Sequence, residues 1–316
     1  MKLTVALVQF NPIIGRTQQN ISKINQLLKT ITTPVDLVVL PELAITGYNF
    51  SSPNTIAPYL ESSSVVDKYG PSLTFASELS KTHNCFTVIG YPETSSNLTY
   101  NSCAMFNRNG QLIHNYRKTF LYETDEIWGA NENKHKGFQG IEVDFGENSS
   151  TKVNFGICMD LNPYQFKAPF NDYEFSSSCY NQRSQLIICP MAWLSPKSPS
   201  IIKSIELADR VELATTLKLP NLPNQETINY WILRFFPYIS HKYSFMPKWF
   251  SKPVNVLCCN RVGVEEDIVY GGSSSIIQFN NNGEYNDEFN QNNKSVNVLG
   301  SLSEIQEGIL IKEIEI

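Results

Sequence analysis

The stretch NFGICMDLNPY, from Asn154 to Tyr164, decides the fold. A short apolar run leads into Cys158 and the chain then breaks at Asn162-Pro163, so the pattern predicts a buried strand that ends at Cys158. Open α/β sheets place their ligand sites in the loops at the carboxyl ends of strands. A lone free cysteine is more often a small buried hydrophobe than a nucleophile. A catalytic role for Cys158 therefore requires partners at other strand ends.

Two earlier stretches supply such partners. The run LVVLPELAITG, Leu37 to Gly47, delivers Glu42 just after a second apolar segment. The run YRKTFLYETDEIW, Tyr116 to Trp128, places Lys118 after a strand-like segment. A thiol becomes reactive when a cation lies close to it or when a base can take its proton. These residue types in this pattern predict a nucleophile with a base and a cation.

The order of the three residues resembles the nitrilase (carbon-nitrogen hydrolase) superfamily. The resemblance extends over nearly the whole chain, from VALVQF near the start to CCNRVG and GGSSSII near the end. It implies that Glu42 is the general base, Lys118 the cationic partner and Cys158 the nucleophile. The fold that it implies is α/β, a nitrilase-like α-β-β-α sandwich, and no cofactor is expected.

The resemblance also implies a second, supporting carboxylate that orients Lys118. We predict Glu126 for this role, with Glu123 and Asp125 in the same loop as alternatives. Within the superfamily, YRKTFLYETDE and GICMDLNPY are most similar to the protein N-terminal asparagine/glutamine amidohydrolases. That similarity implies deamidation of N-terminal Asn and Gln of proteins and peptides to Asp and Glu, through a cysteine thioester and with release of ammonia. Such an activity feeds N-degron-dependent degradation.

An enzyme for N-terminal residues must recognise the α-ammonium group, and we expect a carboxylate near Cys158 to bind it. Asp160 lies on the same face as Cys158 if the strand continues that far, although it could instead pair with Arg183 or brace the turn. Asp125 is the other candidate. Further candidates for substrate binding are Asn162, Tyr164 and Trp193.

Composition excludes several classes of function. The 316 residues are 41% hydrophobic and carry a net charge of -5 without a basic block, which argues against nucleic-acid and membrane-surface partners. No apolar stretch approaches the roughly 20 residues that a membrane helix needs. Seven cysteines, an odd number without C-x-x-C spacing, indicate neither a disulfide framework nor a metal site. We therefore expect a cytoplasmic protein that binds no metal.

Periodicity predicts a layered α/β domain. Leu3 to Val8 is an apolar run, apolar residues from Ile21 to Ile31 recur at helical spacing, and Leu37 to Leu40 is a second run. This order predicts an opening βαβ unit with parallel strands. Asn107 to Gly110 contains the Asn-Gly pair of a hairpin turn, with positive φ at both residues, and this hairpin delivers Lys118.

We predict a single carbon-nitrogen hydrolase domain over residues 1–316. Ser195 to Glu226 departs from the family pattern and is predicted to be a lid or an extra surface element. The aromatic residues between Tyr230 and Tyr238 follow mostly helical spacing, which fits core packing or the lining of a substrate pocket. The polar stretches Glu147 to Ser150 and Asn280 to Glu288 are predicted turns.

Three alternatives remain at this point. A papain-type enzyme would pair a cysteine with a histidine, but the histidines fall in no matching context; they are His83, His114, His135 and His241. A non-catalytic binding module of the same fold would need a broken catalytic set, and all its parts are present. Within the amidases, the chain could be an ω-amidase or N-carbamoyl hydrolase that acts on a free small molecule. The sequence does not decide between a monomer and a homodimer.

Overall fold

The computed structural model describes residues 1–64, 68–133, 137–146, 150–239, 248–280 and 295–316, so the two predicted turns fall mainly outside the described residues. The strands are β1 (Lys2–Gln9), β2 (Leu37–Val39), β3 (Phe86–Ser95), β4 (Leu98–Phe106), β5 (Leu112–Arg117), β6 (Ile141–Asp144), β7 (Ser150–Phe155), β8 (Leu186–Pro190), β9 (Val254–Cys259), β10 (Val262–Glu265), β11 (Ile268–Gly271), β12 (Ser275–Phe279), β13 (Val296–Ser301) and β14 (Gly308–Glu315). The α-helices are α1 (Thr17–Leu28), α2 (Pro53–Ile56), α3 (Pro71–His83), α4 (Glu123–Ile127), α5 (Glu174–Asn181), α6 (Leu207–Thr216) and α7 (Gln225–Arg234).

Two six-stranded mixed sheets form the centre of the molecule. The first has the strand order β14-β1-β2-β3-β4-β5 and the second β13-β12-β9-β8-β7-β6. In each sheet the middle strands are parallel, β1 to β3 in the first and β7 to β9 in the second, and the flanking pairs are antiparallel. The predicted parallel pairing of β1 and β2 around α1 is confirmed.

The alternation of side chains along β1 explains the layers. Leu3, Val5 and Leu7 point into the core that the two sheets share, where they join residues of β8 and β9. Ala6 and Val8 point to the opposite face, where α1 and α3 pack. Helices α5 and α7 cover the outer face of the second sheet, with Phe175 and Trp231 among the buried contacts. The predicted α-β-β-α sandwich is therefore confirmed.

The hairpin before Lys118 forms, but its turn differs from the prediction. Phe106 pairs with Leu112, so the loop is longer than a two-residue turn. Gly110 has a φ of +70°, whereas Asn109 does not adopt positive φ. The reason is the side chain of Asn107, whose Oδ1 accepts the N–H of Asn109 and of Gln111 and closes the loop.

The segment 195–226 contains a short 3-10 helix, Pro199–Ile201, followed by α6. The aromatic residues after it were predicted either to pack in the core or to line a substrate pocket, and both roles occur. Trp231, Phe235 and Tyr238 are buried in the core, whereas Tyr230 lines the cavity described below. No helix in the described ranges is long and apolar enough to span a membrane.

Candidate active site

The sequence predicted a strand that ends at Cys158. In the structure β7 ends earlier, at Phe155, and Cys158 lies beyond it. It begins a 3-10 turn, Cys158–Leu161, and has a φ of +44°. This left-handed conformation costs a non-glycine residue on the order of 1–3 kcal/mol and persists only where the surroundings enforce it. The residue is 9% exposed and lines a cavity of about 450 Å³. The turn therefore presents the thiol to the cavity at the end of a rigid strand.

The carboxylate of Asp160 enforces this turn. It accepts the backbone N–H of Ile157 at 2.8 Å, and also those of Thr119 at 3.0 Å and Phe120 at 2.7 Å. The hydroxyl of Tyr116 donates to it at 2.8 Å. Burial raises the pKa of Asp160 to about 6, although these hydrogen bonds favour the charged form. Asp160 thus ties the nucleophile turn to the segment that follows β5.

These partners do not suit the predicted role of Asp160 as the ammonium-binding residue. The prediction assumed that the strand continued to residue 160, but β7 ends at Phe155. Asp160 is completely buried, and its oxygens are occupied by internal donors and not by Arg183. It is a positioning residue.

A buried cluster of charged and polar side chains contains the predicted base and cation. The Nζ atom of Lys118 lies 2.7 Å from Oε1 of Glu42 and 2.6 Å from Oδ2 of Asp125. The Asn101 amide donates to Glu42 at 2.7 Å and to Asp125 at 2.8 Å. The second oxygen of Glu42 accepts the backbone N–H of Ala192 at 2.7 Å. Both carboxylates and the ammonium are therefore fixed in position.

The first sheet brings these residues together. Glu42 follows β2, Asn101 lies on β4 and Lys118 follows β5. Gly90 on β3 permits a close approach to the base, because a Cβ atom there would lie 2.7 Å from the Cα of Glu42. Any larger residue at position 90 would displace Glu42.

The electrostatics of the cluster favour the protonated form of the thiol. Burial, together with the charge of Glu42, raises the pKa of Cys158 well above its ordinary value. Burial and the negative charge of Asp125 also raise the pKa of Glu42. Burial alone would lower the pKa of Lys118, but Asp125 and Glu42 hold it above its ordinary value. A proton that passes from Cys158 to Glu42 leaves the net charge of the cluster unchanged.

Asp125, not Glu126, is the carboxylate that contacts Lys118. Asp125 is completely buried and also accepts the N–H of Tyr122 at 2.9 Å. Glu126 is exposed and forms neither contact. The physical reason is helical geometry: neighbouring residues of α4 point about 100° apart, so only one of the two can face inward. The prediction of Glu126 as the orienting carboxylate was wrong, and Asp125 is not free to bind an ammonium group.

This correction leads to a mutational prediction. We expect Asp125→Asn to lower kcat by about a hundredfold, because it removes one charge that holds the Lys118 ammonium in a buried site. Glu126→Gln is a neighbouring substitution with the same loss of charge. It should lower kcat by no more than about threefold, and any larger effect should be on KM. Steady-state kinetics on an Asn-peptide, the substrate that the family resemblance implies, and thermal unfolding of both variants make the comparison. An equal loss of kcat in both variants would contradict the assignment.

The cavity beside Cys158 is mostly apolar and aromatic. Its lining consists of Tyr48, Tyr122, Cys158, Met159, Asn162, Phe166, Ala192, Trp193, Leu194, Ser195, Pro196, Ile201, Glu226, Thr227 and Tyr230. Two predicted substrate-binding residues, Asn162 and Trp193, are among them. Tyr164 is not, since it is 37% exposed and its hydroxyl donates to Glu132 at 2.8 Å. The lining contains no histidine; His135 and His241 lie outside the described residues.

The sequence analysis missed several residues of the site. Asn101 carried one usable signal, since it is an amide within the apolar run of β4. Tyr48, whose ring centroid is 5.7 Å from Nζ of Lys118, follows Glu42 closely but has no distinctive spacing. Glu226 is the only acidic side chain lining the cavity in the part of the chain that the structure describes, and nothing near it in sequence indicates this.

Comparison with known proteins agrees with this geometry. The sequence profile of the carbon-nitrogen hydrolase family matches residues 4–163. The chain belongs to the carbon-nitrogen hydrolase family. The match includes Glu42, Lys118, Asp125 and Cys158, so the whole buried cluster and its nucleophile turn lie within the region that defines the family.

Two relatives in this family are fungal proteins. The protein N-terminal amidase of Saccharomyces cerevisiae is 33% identical over 301 residues, which cover 77% of this chain and 65% of that protein. The chain thus corresponds to somewhat less than two thirds of the length of this relative. The protein N-terminal amidase of Schizosaccharomyces pombe is 33% identical over 289 residues, with 86% of this chain and 89% of that protein covered.

Solved structures of the family extend the similarity to three dimensions. A crystal structure of an N-terminal amidase with a Gln-Val peptide has a TM-score of 0.82 and 27% identity, and covers 100% of this chain and 98% of that chain. A second, with an Asn-Glu-Ala peptide, has a TM-score of 0.80 and 28% identity. It covers 99% of this chain and 97% of that chain.

Proposed function

We propose that this chain deamidates N-terminal Asn and Gln of proteins and peptides to Asp and Glu and releases ammonia. The observation that carries the proposal is the position of Cys158. Its turn opens into a cavity, and the predicted base and cation are buried beside each other in the same site. The similarity to N-terminal amidases, including structures with Gln-Val and Asn-Glu-Ala peptides, supports the substrate class. In a cell, the products would feed N-degron-dependent degradation, and the enzyme would work in the cytoplasm.

The first half-reaction forms a thioester. Glu42 takes the thiol proton of Cys158 as the sulfur attacks the carbon of the side-chain amide. Lys118 and the backbone N–H of Met159 stabilise the negative charge that develops on the amide oxygen. When the tetrahedral intermediate collapses, Glu42 returns the proton to the nitrogen, the C–N bond breaks and ammonia leaves. The raised pKa of Glu42 supports this step, because a carboxylate with a low pKa would be a poor base.

The second half-reaction hydrolyses the thioester. Glu42 is again a carboxylate and takes a proton from a water molecule, which attacks the acyl carbon. The C–S bond then breaks, the proton on Glu42 returns to Cys158, and the product leaves as a side-chain carboxylic acid that loses its proton to solvent. Asp125 and Asn101 hold Lys118 and Glu42 in place throughout and exchange no proton.

The α-ammonium group of the substrate needs an acidic partner in the cavity, and we assign this role to Glu226. It lines the cavity from the first turn of α7 and has no hydrogen-bond or ion-pair partner among the described residues. An ordinary role for a carboxylate there is to stabilise the helix N-terminus. Its position in the wall of a mostly apolar cavity favours a binding role as well, because the two buried candidates, Asp125 and Asp160, are already paired.

The decisive experiment measures ammonia release from short peptides that begin with Asn or Gln. Free glutamine and an N-carbamoyl amino acid, the substrates of the alternative amidases, are tested beside them. We expect kcat/KM for the peptides to exceed that for the small molecules by at least about a hundredfold. If free glutamine or the N-carbamoyl compound is hydrolysed faster than the peptides, the function proposed here is incorrect.

A further inference from the structure

The run CCNRVG, one of the stretches that carry the family resemblance, places a charged residue in the interior. Arg261 is completely buried, and its Nη1 atom lies 2.6 Å from Oε1 of Glu265. Its Nη2 atom donates to the backbone carbonyl of Pro12 at 3.0 Å. A buried ion pair is weak evidence for a stabilising role, because the cost of removing both charges from water offsets their attraction. The contacts of Glu265 indicate a further role.

The carboxylate of Glu265 joins this ion pair to the wall of the catalytic cavity. Both of its oxygens lie 3.2 Å from the backbone nitrogen of Tyr48, and Oε2 also accepts the N–H of Asn49 at 2.9 Å. The hydroxyl of Tyr270 donates to Oε2 at 2.6 Å. Together with Arg261, these donors match the roughly four acceptor sites of a carboxylate. Glu265 is therefore fixed in place and fixes the backbone at Tyr48.

The backbone before Tyr48 leaves room for this carboxylate. Gly47 has a φ of +80°, and a Cβ atom there would lie 2.7 Å from Oε1 of Glu265. Glycine suits both the conformation and the close approach. The same glycine ends the run LVVLPELAITG, which delivers the base Glu42. Glu265 thus anchors the loop that leads from the base to Tyr48.

Tyr48 lies between the cavity and the buried charges. It lines the cavity, and its ring centroid is 5.7 Å from Nζ of Lys118. Lys118 and Glu42 are completely buried. A ring in this position keeps water away from the ammonium group, and electrostatic interactions are stronger where water is excluded. The position of Tyr48 therefore affects the catalytic cluster.

We propose that Glu265 is a positioning residue that holds Tyr48 against the Lys118 ammonium group and so acts on catalysis through Tyr48. Arg261 and Tyr270 hold Glu265 in the orientation that this role requires. The inference concerns hydrolysis of any amide at Cys158. Its kinetic test rests on the proposed function, because the test uses an Asn-peptide.

A double-mutant cycle of Glu265 and Tyr48 tests the inference. We expect Glu265→Gln to lower kcat for an Asn-peptide about tenfold, because its amide group places a donor among the donors that the carboxylate accepts. Tyr48→Leu, which removes the ring, should lower kcat about thirtyfold. If Glu265 acts through Tyr48, the double variant should also lose about thirtyfold, and not the roughly three-hundredfold of independent effects. Glu265→Asp, which keeps a charge beside Arg261, replaces Glu265→Gln in the cycle if that variant does not fold.

The matched control is Asp267→Asn. Asp267 lies in the turn between β10 and β11, and its Oδ2 atom is 2.7 Å from Nε of Arg210 on α6. The substitution breaks an arginine–carboxylate pair of the same hairpin, so it should lower the unfolding temperature. Its effect on kcat should stay within about twofold and should multiply with that of Tyr48→Leu.

The cycle separates a positioning role from a structural one. An unchanged kcat in Glu265→Gln, or a loss that multiplies fully with that of Tyr48→Leu, would overturn the inference and leave the amidase activity established. Failure of the wild type to hydrolyse any Asn-peptide would instead reject the proposed function. The same variants would then be compared on the amide that the wild type does hydrolyse, with the same criterion.

Discussion

Cys158→Ala is expected to abolish ammonia release while the protein remains folded. Without the sulfur no thioester can form, and the rate should fall by at least about a thousandfold. The side chain is small and lines a cavity, so its truncation leaves only a small additional void. Ammonia release from an Asn-peptide under single-turnover conditions measures the loss, and thermal unfolding reports on the fold.

Cys179→Ala is the matched control for this experiment. Cys179 is a buried cysteine on α5 that takes no part in the proposed chemistry. It should retain activity even if its unfolding temperature decreases, because its role is packing. Mass spectrometry of the wild type during turnover should show an acyl-enzyme on Cys158. A Cys158→Ala enzyme that keeps a tenth of wild-type activity would disprove the nucleophile assignment.

The sequence predicted the architecture well because periodicity and order along the chain are local properties. The apolar run at β1 and the spacing of α1 were sufficient to predict parallel pairing with β2. The resemblance likewise located Glu42 and Lys118, which the structure brings within 2.7 Å of each other. Both residues lie just after the end of a strand. Such a position can be recognised from a short sequence motif.

The details that failed depend on how the elements pack against one another. The choice between Asp125 and Glu126 is decided by the direction in which α4 packs against Lys118, and not by spacing along the chain. The role of Asp160 is decided by donors that come from the end of β5. Glu226 reaches the cavity only because segment 195–226 folds back toward Cys158. Each of these contacts depends on the three-dimensional packing of the elements, which the sequence pattern does not record.

N-acetylation of an Asn-peptide is expected to lower kcat/KM by about a hundredfold. Acetylation removes the α-ammonium group and leaves Glu226 without its cationic partner, and an ionic hydrogen bond contributes roughly 1.5–3 kcal/mol. The wild type should also lose kcat/KM as the pH rises past roughly 8, because the peptide α-amine is charged below its pKa and neutral above it. Ammonia release from free and acetylated peptides, measured from pH 6 to pH 10, tests both effects.

Glu226→Gln links this selectivity to one residue. The variant should bind the free peptide more weakly, with most of the change in KM, and should discriminate less than about tenfold between free and acetylated peptides. The decline above pH 8 should flatten in the same variant, which a purely structural defect would not cause. Glu212→Gln, the same substitution at an exposed position on α6, serves as the control and should keep both the selectivity and the pH profile of the wild type. Full discrimination in Glu226→Gln would show that another group binds the ammonium. Equal hydrolysis of free and acetylated peptides by the wild type would show that the site recognises the amide alone.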